Sequence, residues 1–406
     1  MKAFTLAIFY IVLSALQLAA QNKCFHPVQT GENNNAISAQ NLRDIENFTN
    51  QFITTNGNTI VTESNIIRIP VVFHNLYHFP EEKITDLQVA AQLDVLNKSF
   101  RRRNADSVNT PAHFKGVAAD IEIEFHLATS DPRKRSTTGV NRKYTPVKVW
   151  GPDDKMKMAA ETGADAWDTK SYLNIWVCNL ESYAGYASVM GGPADKDGIV
   201  ISTLAFGAGF KTIVHEAGHW LNLKHLWGDD NCGDDGVADT PKQASYTLGC
   251  PTEIRRTCGN TTTGDMYMNY MDFTSDECVN LFTQGQKTRM RALFASGAVR
   301  NSFLSSRGLD VPLIFESPLP DEMPTWLKPN LFPNPATNSI TLDLSYDSRW
   351  VGKTIFIMNL SGQTVMTVLI TAKVQPINIS GLQPGMYFLA TKKEDGESIK
   401  QKFIKL

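Results

Sequence analysis

Apolar and polar positions along the chain change their spacing four times, and each change marks a different kind of element. IIRIPVVFHNLY, ending at Tyr77 before the turn-forming FPEE, is mostly apolar and predicts the first strand of the domain that begins at about residue 65. ITDLQVAAQLDVLNKSFRRRN (84–104) follows a 3.6-residue period and predicts an amphipathic helix, with Leu87, Ala91, Val95 and Leu96 on its apolar face. IEIEFHLA alternates and reads as a half-exposed strand, whereas LNIWVC and GIVIST read as buried strands. Helical segments are expected at about 210–221 and 284–294, so strands and helices mix from about residue 65 to 303 as an α/β (α+β) domain.

The pattern differs at both ends. VPLIFESPLPDEMPTWLKPN is proline-rich and aperiodic, which predicts a linker over 304–328. Beyond it, short alternating runs separated by Gly, Asn and Pro turns predict an all-β sandwich over 329–406. Lys2 followed by an apolar run and the small residues Ala19 and Ala20 reads as a signal peptide over 1–20, too short for a membrane anchor. The polar stretch 21–64, with weak helical periodicity in QNLRDIENFTNQF, fits a removable pro-segment.

Chemistry concentrates in HEAGHWLNLKH, residues 215–225. On a helix, His215 and His219 lie one turn apart on one face and can share a Zn²⁺, while Glu216 stays available as a general base. His225 supplies a third ligand, and three protein ligands leave an open position, as in catalytic rather than closed structural zinc sites. The long form of the motif carries glycine where this chain has Asn222, the non-glycine residue best suited to a left-handed turn. His74, His78, His113 and His126 lack metal spacing to this cluster and read as ordinary polar contacts. The formal charge of −2 and the absence of a basic stripe argue against a nucleic-acid partner; Arg101–Arg103 reads as a solvated helix end or a nick site.

Export places the cysteines in an oxidising compartment. Cys232, Cys250, Cys258 and Cys278 surround the motif without C-x-x-C spacing, which favours disulfides over a second zinc, and four cysteines permit three pairings. Cys178 sits in an apolar run and reads as a buried small residue. DDNCGDDGVADTP offers Asp229, Asp230, Asp234, Asp235, Asp239 and Thr240 as oxygen donors suited to a hard cation.

HEAGHWLNLKH, DDGVADTP, MNYMDF and CVNLFTQGQKTRMR, in that order, resemble the pappalysin-type metzincin metalloproteases. The resemblance implies endopeptidase action on proteins or peptides, a catalytic zinc, and structural Ca²⁺ with Asp235 and Thr240 as side-chain ligands. It implies the pairs Cys232–Cys258 and Cys250–Cys278, and makes Met271 the Met-turn residue beneath the zinc, with Met268 the rival by position. Asp276 matches the carboxylate that lines the primed-side pocket of basic-specific relatives, implying cleavage before Arg or Lys, with Glu277 the fallback. Cys24, in KCFHP, resembles the thiol that keeps related proenzymes latent. Relatives commonly carry a tyrosine where this chain has Phe273, and the missing hydroxyl predicts a slower enzyme. The alternative is a catalytically weak, zinc-stabilised surface binding or adhesion module.

FPNPA, NLSGQ, GLQPGMYFL and the terminal KFIKL resemble the C-terminal sorting domain of type IX secretion, implying that machinery as a partner and passage through periplasm and outer membrane.

Overall fold

The computed structural model describes residues 32–56, 66–315, 328–394, 396 and 398–406. The expected signal peptide, Cys24 and the residues 316–327 of the linker lie outside the described residues. Two compact units are present, one of residues 1–76 and 88–319, the other of 77–87 and 320–406.

The first unit begins with α1 (Glu32–Asn56), in the stretch where the sequence shows only weak helical periodicity. Strand β1 (Ile67–Tyr77) is buried at every position but Arg68, as expected for a central parallel strand. Helix α2 (Asp86–Phe100) leads from it to β2 (Ile123–Leu127), which pairs with β1 in parallel. The sheet adds β3 (Val140–Tyr144), β4 (Leu173–Cys178), β5 (Gly185–Ala187) and β6 (Ile199–Ser202). Its order is β2-β1-β4-β6-β5, with β3 pairing β1, and β5 runs antiparallel at the edge. Trp150, Met156, Trp176, Cys178 and Tyr186 form one apolar cluster over it, and Cys178 is the buried small residue expected of it.

Two details differ from the sequence expectation. Helix α2 buries Val89, Leu93, Leu96 and Phe100, spaced i, i+4, i+7, i+11, whereas Leu87 is 76% exposed. Leu87 lies about half a turn around the helix from that stripe, so the apolar face is the neighbouring one. Arg101 is buried instead of solvated: its guanidinium donates to Asp120 at 2.9 Å and to Glu124, and those carboxylates offset its desolvation.

Helix α3 (Thr212–Trp220) follows β6 and carries His215, Glu216 and His219; all its residues from Ile213 to Trp220 are buried. It stops one residue short of expectation, where Leu221 closes the last turn and Asn222 adopts φ +67°. Helix α4 (Gln284–Ala292) starts on a capping box in which Thr283 and Gln286 bond each other's backbone amides.

The second unit contains β7 (Asn330–Phe332), β8 (Ser339–Asp343), β9 (Thr354–Met358), β10 (Thr364–Leu369), β11 (Val374–Asn378), β12 (Gly385–Lys392) and β13 (Ser398–Lys405). They form two antiparallel sheets, β10-β9-β12-β13 and β11-β8-β7. Alternation sends Ile340, Leu342, Ile355, Ile357, Leu389 and Phe403 into a common core around Trp350. Lys393 donates to Asp347 at 2.7 Å while its ammonium lies 4.5 Å from the Trp350 ring. Trp350→Ala is expected to cost this unit about 3–5 kcal/mol, measured as loss of its transition in calorimetry of the full-length chain.

Candidate metal centre and active site

The Nδ1 atoms of the three motif histidines are committed before any metal is considered. His215 Nδ1 lies 2.6 Å from the Tyr270 carbonyl and His219 Nδ1 2.9 Å from the Leu223 carbonyl. Carbonyls only accept, so both nitrogens carry the proton. His225 Nδ1 bonds Asp229 Oδ1 in the same way. In the neutral form that metal binding requires, each ring therefore presents a lone pair on Nε2. These three Nε2 atoms stand 3.0, 3.1 and 3.2 Å from one another. Three lone pairs at that separation repel unless a cation sits among them, and zinc with nitrogens at about 2.0–2.1 Å in tetrahedral array would set edges of about 3.3 Å. The residues present fit zinc. Among the described residues this is the one cluster of three or more His, Cys, Asp or Glu ligand atoms close enough to share an ion.

Packing holds the histidines in place. Trp227 stacks on His225 at 4.4 Å with 5° between planes. Gly218 lies between the two helix histidines, and a Cβ there would meet Met271 Sδ at 2.4 Å, so the sulfur rests against the bare helix backbone. Met268 is buried too, but its carbonyl accepts from Asn280 and it holds the neighbouring chain segment. The turn bearing Met271 is tied to α4: Asn269 Oδ1 accepts from Met271 N at 2.9 Å, and the Asn269 and Gln286 amides pair at 2.9 and 3.1 Å.

A cleft opens beside the cluster, lined by Glu216, His215, Lys211, Phe273, Thr274 and Asp276 among others. Glu216 is wholly buried at its inner end. Asp276 is half-buried and Glu277 exposed, so Asp276 is the one that faces the cleft. Phe273 packs 4.9 Å from the His225 ring and 5.6 Å from His215 and brings no hydroxyl to the cleft.

The acidic loop divides its carboxylates among three tasks. Asp229 orients His225; Asp239 accepts from Thr283 Oγ1 at 2.6 Å and Gly285 N at 2.9 Å, bracing the start of α4. Asp235 is buried, accepts from Thr240 Oγ1 at 2.8 Å and from Val237 N at 3.0 Å, and burial pushes its pKa up to about 6. Bonds Cys232–Cys258 and Cys250–Cys278, with Cα separations of 5.6 and 5.8 Å, close the surrounding loops.

A second cavity borders the histidines, lined by Glu46 of α1 together with His219, Asn222 and Asp229. Asn222 Nδ2 donates to Glu46 Oε1 at 2.9 Å, and Arg289 of α4 pairs with the same oxygen. The Arg289 Nε donates to the Asn222 carbonyl at 2.7 Å. Asn41 Nδ2 fixes α1 a second time, on the Gly191 carbonyl at 3.0 Å. Burial alone would raise the Glu46 pKa, but Arg289 and Asn222 hold it below the usual carboxylate range.

A buried, three-histidine cluster with an adjacent glutamate, set on a helix beside a mixed sheet and underlain by a methionine turn, defines a metzincin-type metallopeptidase. The family profile described as Pregnancy-associated plasma protein-A matches residues 157–295, and that of the Secretion system C-terminal sorting domain matches 330–406. An extracellular metalloprotease of Sordaria macrospora is 49% identical, over 46% of this chain and 75% of that protein. Mature mirolysin of Tannerella forsythia in complex with a cleaved peptide is 42% identical, covering 60% of this chain and 97% of that one at a TM-score of 0.58. A promirolysin variant from the same organism is 40% identical, covering 67% and 96% at 0.59. The chain belongs to the pappalysin family, and it is a secreted or cell-surface zinc metalloendopeptidase with a C-terminal sorting domain. No helix among the described residues is long and apolar enough to cross a membrane.

Sequence reading did not single out Asn269, Gln286, Arg289, Lys211 or Glu46. The role of Asp229 had a signal, its position four residues after His225, within reach of that ring's outer nitrogen. Glu46 had none, because 176 positions separate it from Asn222. Asp229→Ala is expected to weaken zinc binding about 10–100-fold, read by competition with a chelating dye.

Proposed function

We propose that the chain is made as a zymogen and cleaves proteins or peptides before Arg or Lys, with Glu216 as general base. Zinc, held by His215, His219 and His225, would supply Lewis acidity at its open position, polarising the scissile carbonyl and the attacking water. Glu216 takes the proton of that water on a carboxylate oxygen and delivers it to the leaving nitrogen. Ala184, the residue before edge strand β5, lines the cleft, and that strand would offer backbone groups to an extended substrate. Asp276 receives the cationic side chain after the scissile bond through a charge-assisted hydrogen bond. The observation that carries this reading is the common cleft of Glu216, His215 and Asp276.

Phe273 supplies packing but no donor to the developing oxyanion, which predicts a modest turnover number. Asp235, Thr240 and the Val237 carbonyl would supply three of the roughly six to eight oxygens a calcium ion takes, and a cation there would offset the burial that raises the Asp235 pKa. The proposed organisation is a leader over 1–20, a removable segment over 21–64, the catalytic unit over 65–303, a linker over 304–328 and a tail over 329–406 that addresses type IX secretion machinery. Cys24, outside the described residues, would occupy the open zinc position in the latent form.

Helix α1 supports the zymogen reading, since the match to promirolysin extends over 67% of this chain against 60% for the mature form. The Glu46 carboxylate would secure that helix beside His219.

A peptide library treated with the full-length chain after limited proteolytic activation tests the function. Cuts before Arg or Lys that disappear with a chelator and in Glu216→Ala are expected. Stoichiometric zinc without cleavage above that variant would instead favour the surface-module reading. Glu46→Gln is expected to speed the appearance of activity from the latent chain several-fold. Because the docked Glu46 pKa is depressed, the contact is fully present above the ordinary carboxylate pKa and is lost as pH falls through the depressed one. Tryptic nicking of α1 should accordingly accelerate on acidification in the wild type, after correction for trypsin's own pH profile, and far less in the variant.

A further inference from the structure

The cleft proposed to receive the residue after the scissile bond contains charges of both signs. Asp276 and Lys211 both line it. Lys211 is the N-cap residue of α3, four positions before His215, so its place is fixed by the metal-binding helix. Its ammonium is largely buried and donates to Asp106 Oδ2 at 2.5 Å and to the Val279 carbonyl at 2.7 Å. A third carboxylate in the wall, Asp272, already accepts from the amides of Thr247 and Phe273 and from Gln243 Nε2. Asp106 itself stands in the 3₁₀ turn Ala105–Asn109, behind the lining residues.

Selection of a cation therefore has an electrostatic obstacle within the pocket. An ammonium in the wall of the same cleft repels an incoming guanidinium and attracts the Asp276 carboxylate. At the effective dielectric of a partly buried site, a unit charge a few ångströms away changes binding by more than a factor of ten. The paired carboxylate behind Lys211 cancels that charge.

We propose that Asp106 is a specificity-determining residue: by neutralising Lys211, it lets Asp276 set the sign of the field in the cleft and so makes the subsite select Arg or Lys. This rests on the reading of Asp276 as the selector. Asp106 acts through Lys211 and touches no substrate atom, so it changes which side chain is preferred after the scissile bond. The same pair explains why a lysine is compatible with a pocket for cations: its charge is consumed by Asp106 and its remaining donors by backbone and the Tyr270 ring, 6.0 Å away.

The test compares kcat/KM for two peptides that differ only in carrying Arg or its neutral isostere citrulline after the scissile bond. The full-length chain is used after limited proteolytic activation, as wild type, Asp106→Asn, Lys211→Met, the Asp106→Asn/Lys211→Met double variant and Asp276→Asn. The Arg-to-citrulline ratio should fall about tenfold in Asp106→Asn, rise in Lys211→Met, and return towards wild type in the double variant, where both charges are gone. A purely structural role for Asp106 would not be rescued by removing its partner's charge. An unchanged ratio in Asp106→Asn, or a ratio that fails to rise in Lys211→Met, overturns the inference while a collapse in Asp276→Asn leaves the selector reading standing. A ratio near one in the wild type, or one indifferent to Asp276→Asn, overturns both. Should Asp106→Asn fail to fold, the Lys211→Met ratio decides the matter.

Discussion

Three imidazole lone pairs brought within 3.2 Å of one another form the constraint on which the first unit is organised. Neutral rings do not hold that arrangement by mutual attraction; it is imposed by the acceptors behind them and by packing from the sides. The Tyr270 and Leu223 carbonyls and the Asp229 carboxylate each take an Nδ1 proton, which turns every Nε2 inward as an acceptor. A zinc ion held by the three Nε2 atoms would replace that repulsion with attraction. Most features near the motif serve this alignment: the bare backbone of Gly218 over Met271, the Trp227 ring against His225, and the amide pair joining Asn269 to Gln286.

Asn222 joins the centre to the rest of the unit. Its positive φ turns the chain so that His225 returns to the cluster, its carbonyl accepts from Arg289 of α4, and its side-chain amide donates to Glu46 of α1. Glycine would satisfy the first two requirements and fail the third. The departure from the long zincin pattern is thus explained by the one contact glycine cannot make. Loss of α1 would leave the turn and its bond to Arg289 in place while removing a carboxylate from beside the metal centre.

The acidic loop shows how composition underdetermines a site. DDNCGDDGVADTP looks like a single oxygen cage, yet its carboxylates serve different neighbours: Asp229 the metal centre, Asp239 the first turn of α4, and Asp235 a buried hydroxyl. Asp230 and Asp234 accept from the nearby backbone amides of Asn231 and Gly236, while Asp235 faces the Thr240 hydroxyl. The distribution follows from the chain's path, which the two disulfides restrain.

The candidate metal ligands and the glutamate beside them were legible because their geometry is local. Histidines four apart on a helix must share a face, and a third six residues on can return if the intervening residue accepts a left-handed turn; no distant contact is needed to infer this. Alternation and continuous apolar runs likewise marked β1, β2, β4 and β6 and the β-rich second unit, since side-chain direction repeats along a strand, whereas the short β3 and β5 carry too few residues to show a period and went unmarked. Tertiary structure alone decided what depends on residues far apart in the chain: that α2 turns Val89 rather than Leu87 inward, that Arg101 finds two carboxylates and becomes buried, that Met271 rather than Met268 lies under the helix, and that Glu46 reaches Asn222. Charge balance in the cleft belongs to the same class, because Asp106 and Lys211 are 105 positions apart. A sequence period reports which way a side chain points relative to its own element; which charge or cavity waits there is set by where the other elements pack.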